Sequence, residues 1–275
     1  MFKSPNLSQV FGLKGKAAFV TGGGSGIGYA IAECLVTNGA KEALDKVVHE
    51  LSQRNLTVIP IVVDMTDRDN IIAAKKVVGD ADGVGPVSES LGQKDASKHV
   101  DLETLGTALF NNETSEQWAK LYEINTFAMY FVTTAFLGLL ARDSTNYSSV
   151  AINTTSISGI TKLAQRHFVY NNSKAAAAHL TRTMATVFEL KNIPVRVSAI
   201  APSAFPSEMT HNAIESARTV NEVGNSITPI PAGRAGKPRG IAGMAIHLAS
   251  PAGYYTNGQK ILVDGGYITV NPPTK

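Results

Sequence analysis

Residues Lys16 to Thr37 read KAAFVTGGGSGIGYAIAECLVT and decide the fold class of the chain. The short apolar segment from Lys16 to Thr21 is typical of a buried β-strand. A glycine-rich turn, Gly22 to Gly28, follows directly, and a helical pattern runs from Ile27 to the stop signal Asn38-Gly39. Glycines let the backbone approach a phosphate, and a helix N-terminus offers free N–H groups and the positive end of its dipole. We therefore predict a phosphate-binding unit rather than a merely flexible glycine loop.

Strand and helix patterns alternate along the rest of the chain, and a polar irregular stretch lies at Gly79–Leu105. The further predicted strands are Thr57–Asp64, Val150–Thr155, Val195–Ile200 and Lys260–Val263. The further predicted helices are Lys41–Arg54, Asp67–Val78, Thr114–Leu140, Asn172–Leu190 and Ile241–Leu248. This alternation predicts an α/β fold with a doubly wound parallel sheet, in one domain over residues 1–275, with a substrate lid at Ser203–Pro231.

A second informative stretch, Ile152 to Lys174, reads INTTSISGITKLAQRHFVYNNSK. Tyr170 and Lys174 are four residues apart, so on a helix their side chains share one face. A free phenol titrates near ~10, and a nearby ammonium lowers its pKa towards the working pH that general acid–base catalysis requires. Ser156 ends an apolar run, where such sheets bind ligands. Because a Tyr and a Lys at this spacing also occur on solvated helix faces, the pair needs support from other motifs.

The composition excludes several classes of protein. The chain has 275 residues, 44% hydrophobic and 17% charged, which is enough apolar material for a core and too little charge for a disordered protein. The net charge of +3 is small and the basic residues are scattered, so we expect no nucleic-acid partner. The single cysteine, Cys34, rules out an intramolecular disulfide.

The apolar runs of the sequence are shorter than those of targeting and membrane segments. The N-terminus lacks the apolar core of a signal peptide, and no apolar run approaches the ~20 residues of a membrane span. We therefore expect a soluble, cytoplasmic protein with no membrane partner and no bound metal.

Together these motifs resemble the short-chain dehydrogenase/reductase family, in its classical type. Thr21-Gly22-x-x-x-Gly26-x-Gly28 is similar to the family's cofactor loop, and Tyr170-x-x-x-Lys174 is similar to its catalytic pair. Asn153-Thr154-Thr155-Ser156 resembles the segment that ends in the catalytic serine, and Val263-Asp264-Gly265-Gly266 resembles the C-terminal signature. The resemblance spans almost the whole chain, and it implies a Rossmann-like sheet that binds NADP or NAD.

The resemblance also implies a role for each site residue. Tyr170 would exchange a proton with a carbonyl or alcohol oxygen, while Lys174 would lower its pKa and hold the ribose. Ser156 would donate to the developing oxyanion, with Ser158 as its rival. Asn125 would hold a water that links Lys174 to solvent, or else only pack within its helix. The predicted cofactor-binding residues are Gly22, Gly24, Ser25, Gly26, Ile27, Gly28, Asp64, Met65, Tyr170, Lys174, Pro202, Ser203 and Phe205.

Two departures from the family pattern border the expected cofactor pocket. After Gly39-Ala40 the family has a second strand, but here Lys41 begins a helix at once. After Val78 the family has a fourth strand, but here the polar stretch follows directly. Family strands 2 and 4 are thus missing or shortened, either because the sequence is incomplete or because the protein has degenerated. The second possibility supports an alternative function, a non-catalytic binding or scaffold protein on the same fold.

Cofactor choice and substrate follow from weaker signals. No acidic residue stands where the family would hold a free ribose 2′-hydroxyl, which slightly favours NADP over NAD. The expected pocket, between Ile157–Phe168 and Ser203–Thr228, mixes apolar and polar residues. It suits a medium-sized, partly apolar ketone or secondary alcohol better than a sugar phosphate.

The predicted helices Thr114–Leu140 and Asn172–Leu190 are apolar on more than one face. Their apolar residues span more than the roughly 100° stripe that packing against one core requires. A second subunit is the simplest cover, and in the family this helix pair resembles the dimer interface; the alternative cover is the Gly79–Leu105 stretch. We therefore predict a homodimer or homotetramer.

Overall fold

The structure is a computed structural model that describes residues 6–39, 102–142, 148–164, 168–206, 230–271 and 273. Its longer helices are α1 Leu7–Phe11, α2 Gly26–Thr37, α3 Leu102–Phe110, α4 Ser115–Tyr122, α5 Ala128–Arg142, α6 Phe168–Leu190, α7 Pro238–Ala249 and α8 Tyr267–Val270. A π-helix, Glu123–Phe127, joins α4 to α5, and 3-10 turns lie at Ile157–Gly159 and Pro251–Gly253. The strands are β1 Ser149–Thr154, β2 Val195–Pro202 and β3 Lys260–Val263.

The described strands form one parallel sheet in the order β1-β2-β3. Ser149 lies opposite Val195, and Ile200 lies opposite Ile261. Every residue of β2 is buried, as expected for a central parallel strand that is covered on both faces. This explains why β2 reads as an almost continuous apolar run.

Successive residues of each strand point to opposite faces, so each face packs against its own helices. On one face, Val195 and Val197 pack with Met184 and Phe188 of α6 and with Leu137 of α5. The opposite face packs against α2 and α7. The buried residues of this second cluster are Leu13, Ala30, Ile31, Leu35, Ile200, Phe205, Ile241, Ala245 and Leu248. Helices therefore cover both faces, which is the layered arrangement that the alternating pattern predicts.

Arg196 of β2 is fully buried and connects the sheet to the end of α7. Its guanidinium donates to the carbonyl oxygens of Leu248 at 2.8 Å, Gly253 at 2.9 Å and Thr256 at 3.2 Å. Burial lowers the pKa of Arg196 to about 10, while the nearby Tyr254 acts in the opposite direction. A cation next to the carbonyls that end a helix is favourable, so Arg196 holds the turn that leads into β3.

Most predicted elements in the described residues are confirmed. The strand Lys260–Val263 and the helix from Gly26 to Thr37 are present, and β1, β2, α6 and α7 overlap their predicted ranges. Asn38 ends α2, and Gly39 follows with a φ of +103° that a glycine accommodates readily. The predicted helix Thr114–Leu140 is also present, but the π-helix interrupts it.

Two boundaries differ from prediction. The polar stretch was predicted to extend to Leu105, but Leu102–Phe110 is helical. The segment Lys16–Thr21 is not a strand within the described residues, where Ala17 makes a single β-bridge and Val20 packs against the core. The apolar side chains of this segment explain why Val20 packs against the core. Whether a segment is a strand depends also on hydrogen bonds to other strands, which the local sequence does not specify.

The expectation that no apolar run approaches the length of a membrane span is not met. The helical segment Ser115–Arg142 is long and apolar enough to cross a membrane, by length and composition only. In the structure α5 packs against β1 and β2, and a core helix of a soluble protein passes the same test. The absence of a membrane partner therefore stays a prediction.

Several predictions lie outside the described residues. These are the helices Lys41–Arg54 and Asp67–Val78, the strand Thr57–Asp64, and most of the lid Ser203–Pro231. The site residues Asp64 and Met65 also lie outside them.

Candidate active site

The glycine-rich turn leads into α2 with the geometry that a phosphate site needs. Gly22 and Gly26 have positive φ angles of 63° and 55°, which favour glycine. A Cβ on Gly28 would lie 1.9 Å from the carbonyl oxygen of Gly22, so the turn and the helix approach each other backbone to backbone. Ser25 precedes the helix and makes no side-chain capping hydrogen bond. The turn, which also contains Gly24 and Ile27, thus leaves the N-terminus of α2 without a side-chain cap and fits the pyrophosphate of a dinucleotide.

Ser156 lies just beyond the carboxyl end of β1, where it precedes the 3-10 turn Ile157–Gly159, here called the serine turn. Its Oγ accepts a hydrogen bond from the backbone N–H of Ser158 at 3.1 Å. The side chain is only 7% exposed. Because the oxygen is fixed as an acceptor, the hydroxyl hydrogen is left to point towards another acceptor.

Tyr170 and Lys174 both lie in α6, which begins at Phe168 rather than at the predicted Asn172. The earlier start places Tyr170 inside the helix and confirms the spacing argument. Lys174 Nζ lies 5.7 Å from the centre of the Tyr170 ring and 3.3 Å from the carbonyl oxygen of Thr154, to which it donates. Since Thr154 is two residues before Ser156, the structure brings all three candidate catalytic side chains to the end of β1.

Gly159 lets the serine turn contact α6 directly. A Cβ at this position would lie 2.6 Å from the backbone nitrogen of Ala175 and 2.8 Å from the carbonyl oxygen of Lys174. Any larger residue would force these two backbones apart, because neither contact is with a flexible side chain. Sequence reasoning gave Gly159 no role, although a glycine shortly after a candidate catalytic serine was a usable signal.

Asn125 lies in the π-helix and is 5% exposed. Its Nδ2 donates to the Oγ of Ser173 at 3.2 Å, and the Ser173 hydroxyl donates to the carbonyl oxygen of Tyr170 at 2.8 Å. The neighbouring Thr126 donates from Oγ1 to the carbonyl oxygen of Ser173 at 3.0 Å. Asn125 therefore does lie beside the helix that carries Tyr170 and Lys174. The sequence did not indicate Ser173 as its partner, because serine before lysine has no distinctive spacing.

A second amide makes a similar contact further along α6. Asn153 of β1 donates from Nδ2 to the Oγ1 of Thr181 at 3.0 Å, and Thr181 donates to the carbonyl oxygen of Ala177 at 2.9 Å. Both side chains are buried. Because buried amides must be hydrogen-bonded, this pair fixes how far α6 can slide along β1.

The end of β2 positions the next predicted cofactor contacts. Pro202 ends the strand, and the backbone N–H of Ser203 donates to the carbonyl oxygen of Val263 at 3.2 Å. Phe205 was predicted to contact the cofactor, but its side chain is 4% exposed and packs in the core with Ile200. A cofactor contact from Phe205 would therefore come from its backbone and not from its ring.

The C-terminal signature, Val263 to Gly266, leads into a helix that packs against the serine turn. Asp264 accepts hydrogen bonds from the N–H groups of Gly266 and Ile268, at 3.0 and 2.9 Å, and so fixes the start of α8. Tyr267 is fully buried in a cluster with Ile157 of the serine turn and Ile230. The sequence singled out Asp264 only as part of a signature and did not indicate Tyr267.

Among the residues that the structure describes, no group of three or more His, Cys, Asp and Glu side chains is arranged to hold a metal ion. Cys34 is half-buried in α2, and burial together with the nearby Glu33 raises the pKa of its thiol.

Comparison with known proteins identifies the family. A family profile described as Enoyl-(Acyl carrier protein) reductase matches residues 22–268. The short-chain dehydrogenase/reductase PhomF of Diaporthe leptostromiformis is 32% identical, over 96% of this chain and 95% of the relative. The chain belongs to the short-chain dehydrogenase/reductase family. It is accordingly an NAD(P)-dependent oxidoreductase with a Rossmann-like α/β fold.

Solved structures of the family agree with this assignment. The complex of Pseudomonas aeruginosa RhlG with NADP has a TM-score of 0.77 and 27% identity, and it covers 94% of this chain and 98% of its own. A 7 alpha-hydroxysteroid dehydrogenase complexed with NADH and 7-oxo glycochenodeoxycholic acid has a TM-score of 0.72 and 25% identity, covering 96% and 98%. The doubly wound parallel fold predicted from the sequence is thereby confirmed.

The alignment with PhomF extends over 292 positions, whereas this chain has 275 residues, so PhomF has residues that this chain lacks.

We expect the substitution Gly159→Ala to lower the free energy of unfolding by about 1–3 kcal/mol, because the added methyl group overpacks a backbone contact. Turnover should fall even under conditions in which the variant is fully folded, because the serine turn would move away from Lys174. Urea denaturation and steady-state kinetics measure the two effects.

Gly243→Ala is the matched control, because Gly243 lies on an exposed part of α7 and its Cβ would meet no atom within 4 Å. That variant should be as stable as the wild type or slightly more stable. A Gly159→Ala protein with unchanged stability and activity would show that the backbone contact is unimportant.

Proposed function

We propose that the protein interconverts a ketone and a secondary alcohol, with Tyr170 as the general acid and base. The observation that carries this proposal is the position of Lys174 Nζ, 5.7 Å from the Tyr170 ring and 3.3 Å from the Thr154 carbonyl oxygen. This position puts a cation beside the phenol at the end of the strand that leads to Ser156. When bound, the nicotinamide cofactor supplies or accepts the hydride.

In the reducing direction, Tyr170 donates its phenolic proton to the carbonyl oxygen of the substrate. The ammonium of Lys174 favours the resulting phenolate electrostatically. In the oxidising direction, the Tyr170 phenolate accepts the proton of the alcohol. Lys174 is 9% exposed, so its charge acts through a poorly solvated environment, where it is more effective than in water.

Ser156 stabilises the negative charge that develops on the substrate oxygen. Its Oγ already accepts the N–H of Ser158, which leaves the hydroxyl hydrogen as the donor. The position of Ser156 just beyond the end of β1 favours it over Ser158, because Lys174 donates to the carbonyl oxygen of Thr154 at that strand end.

Asn125 contributes to the path by which protons leave the site. Since its Nδ2 donates to Ser173, a water that links Lys174 to solvent would bind its Oδ1 or its backbone carbonyl oxygen. A π-helix loosens local backbone hydrogen bonding and is often found at functional sites.

The cofactor is held by the glycine-rich turn and by the ends of the strands. The uncapped N-terminus of α2 binds the pyrophosphate through residues Gly22 to Gly28. Lys174 and Tyr170 would hold the ribose next to the nicotinamide, and Pro202 and Ser203 would border the ring. Asp64 and Met65, which lie outside the described residues, would contact the adenine end, and the stretch 203–231, most of which also lies outside them, would serve as the substrate lid.

The substrate is a medium-sized, partly apolar carbonyl compound or alcohol. The stretch Ile157–Phe168, which we expect to border the substrate, includes the apolar residues Leu163 and Ala164. The related 7 alpha-hydroxysteroid dehydrogenase binds a molecule of this character, 7-oxo glycochenodeoxycholic acid. Turnover restricted to phosphorylated or highly charged compounds would argue against this substrate class.

Replacing Tyr170 with Phe should reduce turnover by at least about 10²-fold, because the variant cannot transfer the proton. The affinity for NADPH should fall far less than turnover, because Lys174 would still hold the ribose. Initial rates with a panel of ketones and cofactor fluorescence measure the two quantities. Tyr255→Phe, at a fully exposed tyrosine, is the control and should change neither. Undiminished activity of Tyr170→Phe would exclude the proposed role.

Titration with NADPH and NADH should show binding of both, with NADPH the tighter ligand. No binding at millimolar cofactor would instead support the scaffold alternative, which the residues missing relative to PhomF make worth testing. Tighter binding of NADH would reverse the proposed preference.

We further propose a dimer or tetramer in which α5 and α6 form the contact. Phe127 and Tyr130 at the start of this region are 47% and 45% exposed, and Val187 of α6 is 46% exposed. Exposed aromatic and aliphatic side chains on neighbouring helices are typical of an interaction surface.

Light scattering of the wild type at micromolar concentration should therefore give at least a dimer mass. Tyr130→Glu and Val187→Glu should shift the mass towards the monomer, because each variant buries an unpaired charge in the contact. The control Tyr255→Glu lies outside these helices and should leave the mass unchanged. A wild-type monomer, or a dimer that survives both substitutions, would contradict this arrangement.

A further inference from the structure

The chain from Ile160 to Ala164, here called the site loop, connects the serine turn to the segment that enters α6. Along the chain, this loop lies between two candidate catalytic residues, Ser156 before it and Tyr170 after it. A substrate whose oxygen contacts both residues would lie between the two ends of this loop, so the loop is placed to contact the carbon substituents of that substrate.

Asn171 attaches the end of the site loop to α6. Its Nδ2 donates to the carbonyl oxygens of Leu163 and Ala164, each at 3.0 Å. One amide group thus holds two consecutive carbonyls. Asn171 directly follows Tyr170, so this contact fixes the loop relative to the proposed general acid.

The other end of the site loop is fixed independently. Thr161 pairs with Pro273 in an antiparallel bridge and is only 6% exposed. Its Oγ1 accepts the N–H of Leu163 at 3.2 Å, and Gly159 lies against the backbone of α6. Because this end is held by contacts that do not involve Asn171, loss of the Asn171 amide would release the carbonyl groups of Leu163 and Ala164 and leave Ser156 in place.

The Oδ1 atom of Asn171 is buried and has no hydrogen-bond partner among the described residues. A buried amide oxygen without a hydrogen-bond partner costs free energy, so this side chain is favourable here through the two hydrogen bonds that it donates. The carbonyl oxygens of Leu163 and Ala164 are the described groups to which this side chain donates hydrogen bonds.

We propose that Asn171 is a positioning residue that sets the substrate size selectivity of the enzyme by fixing Leu163 and Ala164. The inference rests on the proposed ketone and alcohol activity. Asn171 takes no part in proton transfer, because both of its donated hydrogen bonds go to the loop.

The test compares Asn171→Ala and Asn171→Asp with the wild type on methyl 3-oxo esters, from 3-oxobutanoate to 3-oxodecanoate. Losing two neutral hydrogen bonds should change the ratio of KM values between the longest and shortest esters by about tenfold. In Asn171→Ala, the kcat for the shortest ester, its pH profile and the affinity for NADPH should stay close to wild type.

Asn172→Ala is the matched control, because the exposed Asn172 donates only to the carbonyl oxygen of Phe168 on its own helix, at 2.8 Å. This variant should leave the KM ratio unchanged. An unchanged ratio in both Asn171 variants, or an equal change in the control, would overturn the proposal. A parallel loss of NADPH affinity would likewise overturn it, since that result indicates general disruption of the site.

Hydrogen–deuterium exchange of the NADPH-bound protein provides a second readout that needs no turnover. Amides of residues 163–164 should exchange at least about tenfold faster in Asn171→Ala, while those of Ile160 and Thr161, which donate to the carbonyl oxygen of Ile157, and those of α6 stay protected. Unchanged exchange in the loop would refute the attachment. If the wild type reduces none of the esters, the proposed activity fails, and the exchange rates still decide whether Asn171 holds the loop.

Discussion

The contact between the serine turn and α6 is the constraint on which the rest of the site depends. Gly159 leaves no space for a side chain against the backbone at Lys174 and Ala175. From the same helix, Lys174 reaches back to the carbonyl oxygen of Thr154 at the end of β1. Because the strand end and the helix meet backbone to backbone, the candidate catalytic groups keep a fixed separation that side-chain rotation cannot relax.

Buried amide–hydroxyl pairs reinforce this contact on either side. Asn125 contacts Ser173 near the start of α6, and Asn153 contacts Thr181 two turns further along. Buried polar groups are costly unless they are paired, so any sliding of α6 would leave several of them unsatisfied. The pairs therefore specify one register for α6, in addition to the apolar packing of Met184 and Phe188 that supplies much of its stability.

Much of the fold was predictable from local patterns, and the exceptions have identifiable causes. Apolar periodicity located α2, α6, α7 and the three described strands, because it reflects which side of an element faces the core. It could not reveal the π-helix at Glu123–Phe127, since one extra residue per turn hardly alters an apolar pattern. It also misjudged Lys16–Thr21 and Leu102–Leu105, where local composition resembled another class of structure.

The sequence by itself determined the fold class, the family and the chemical types at the site. The glycine turn, the Tyr170 and Lys174 spacing and the serine at the end of β1 are all local signals with direct physical meanings. Only the tertiary structure decided which groups meet across the chain, such as Asn125 with Ser173, or Tyr267 beneath Ile157. The same holds for the Phe205 ring, which packs in the core. These contacts depend on the register of the sheet and on the way helices pack against it, and no local pattern of residues encodes either.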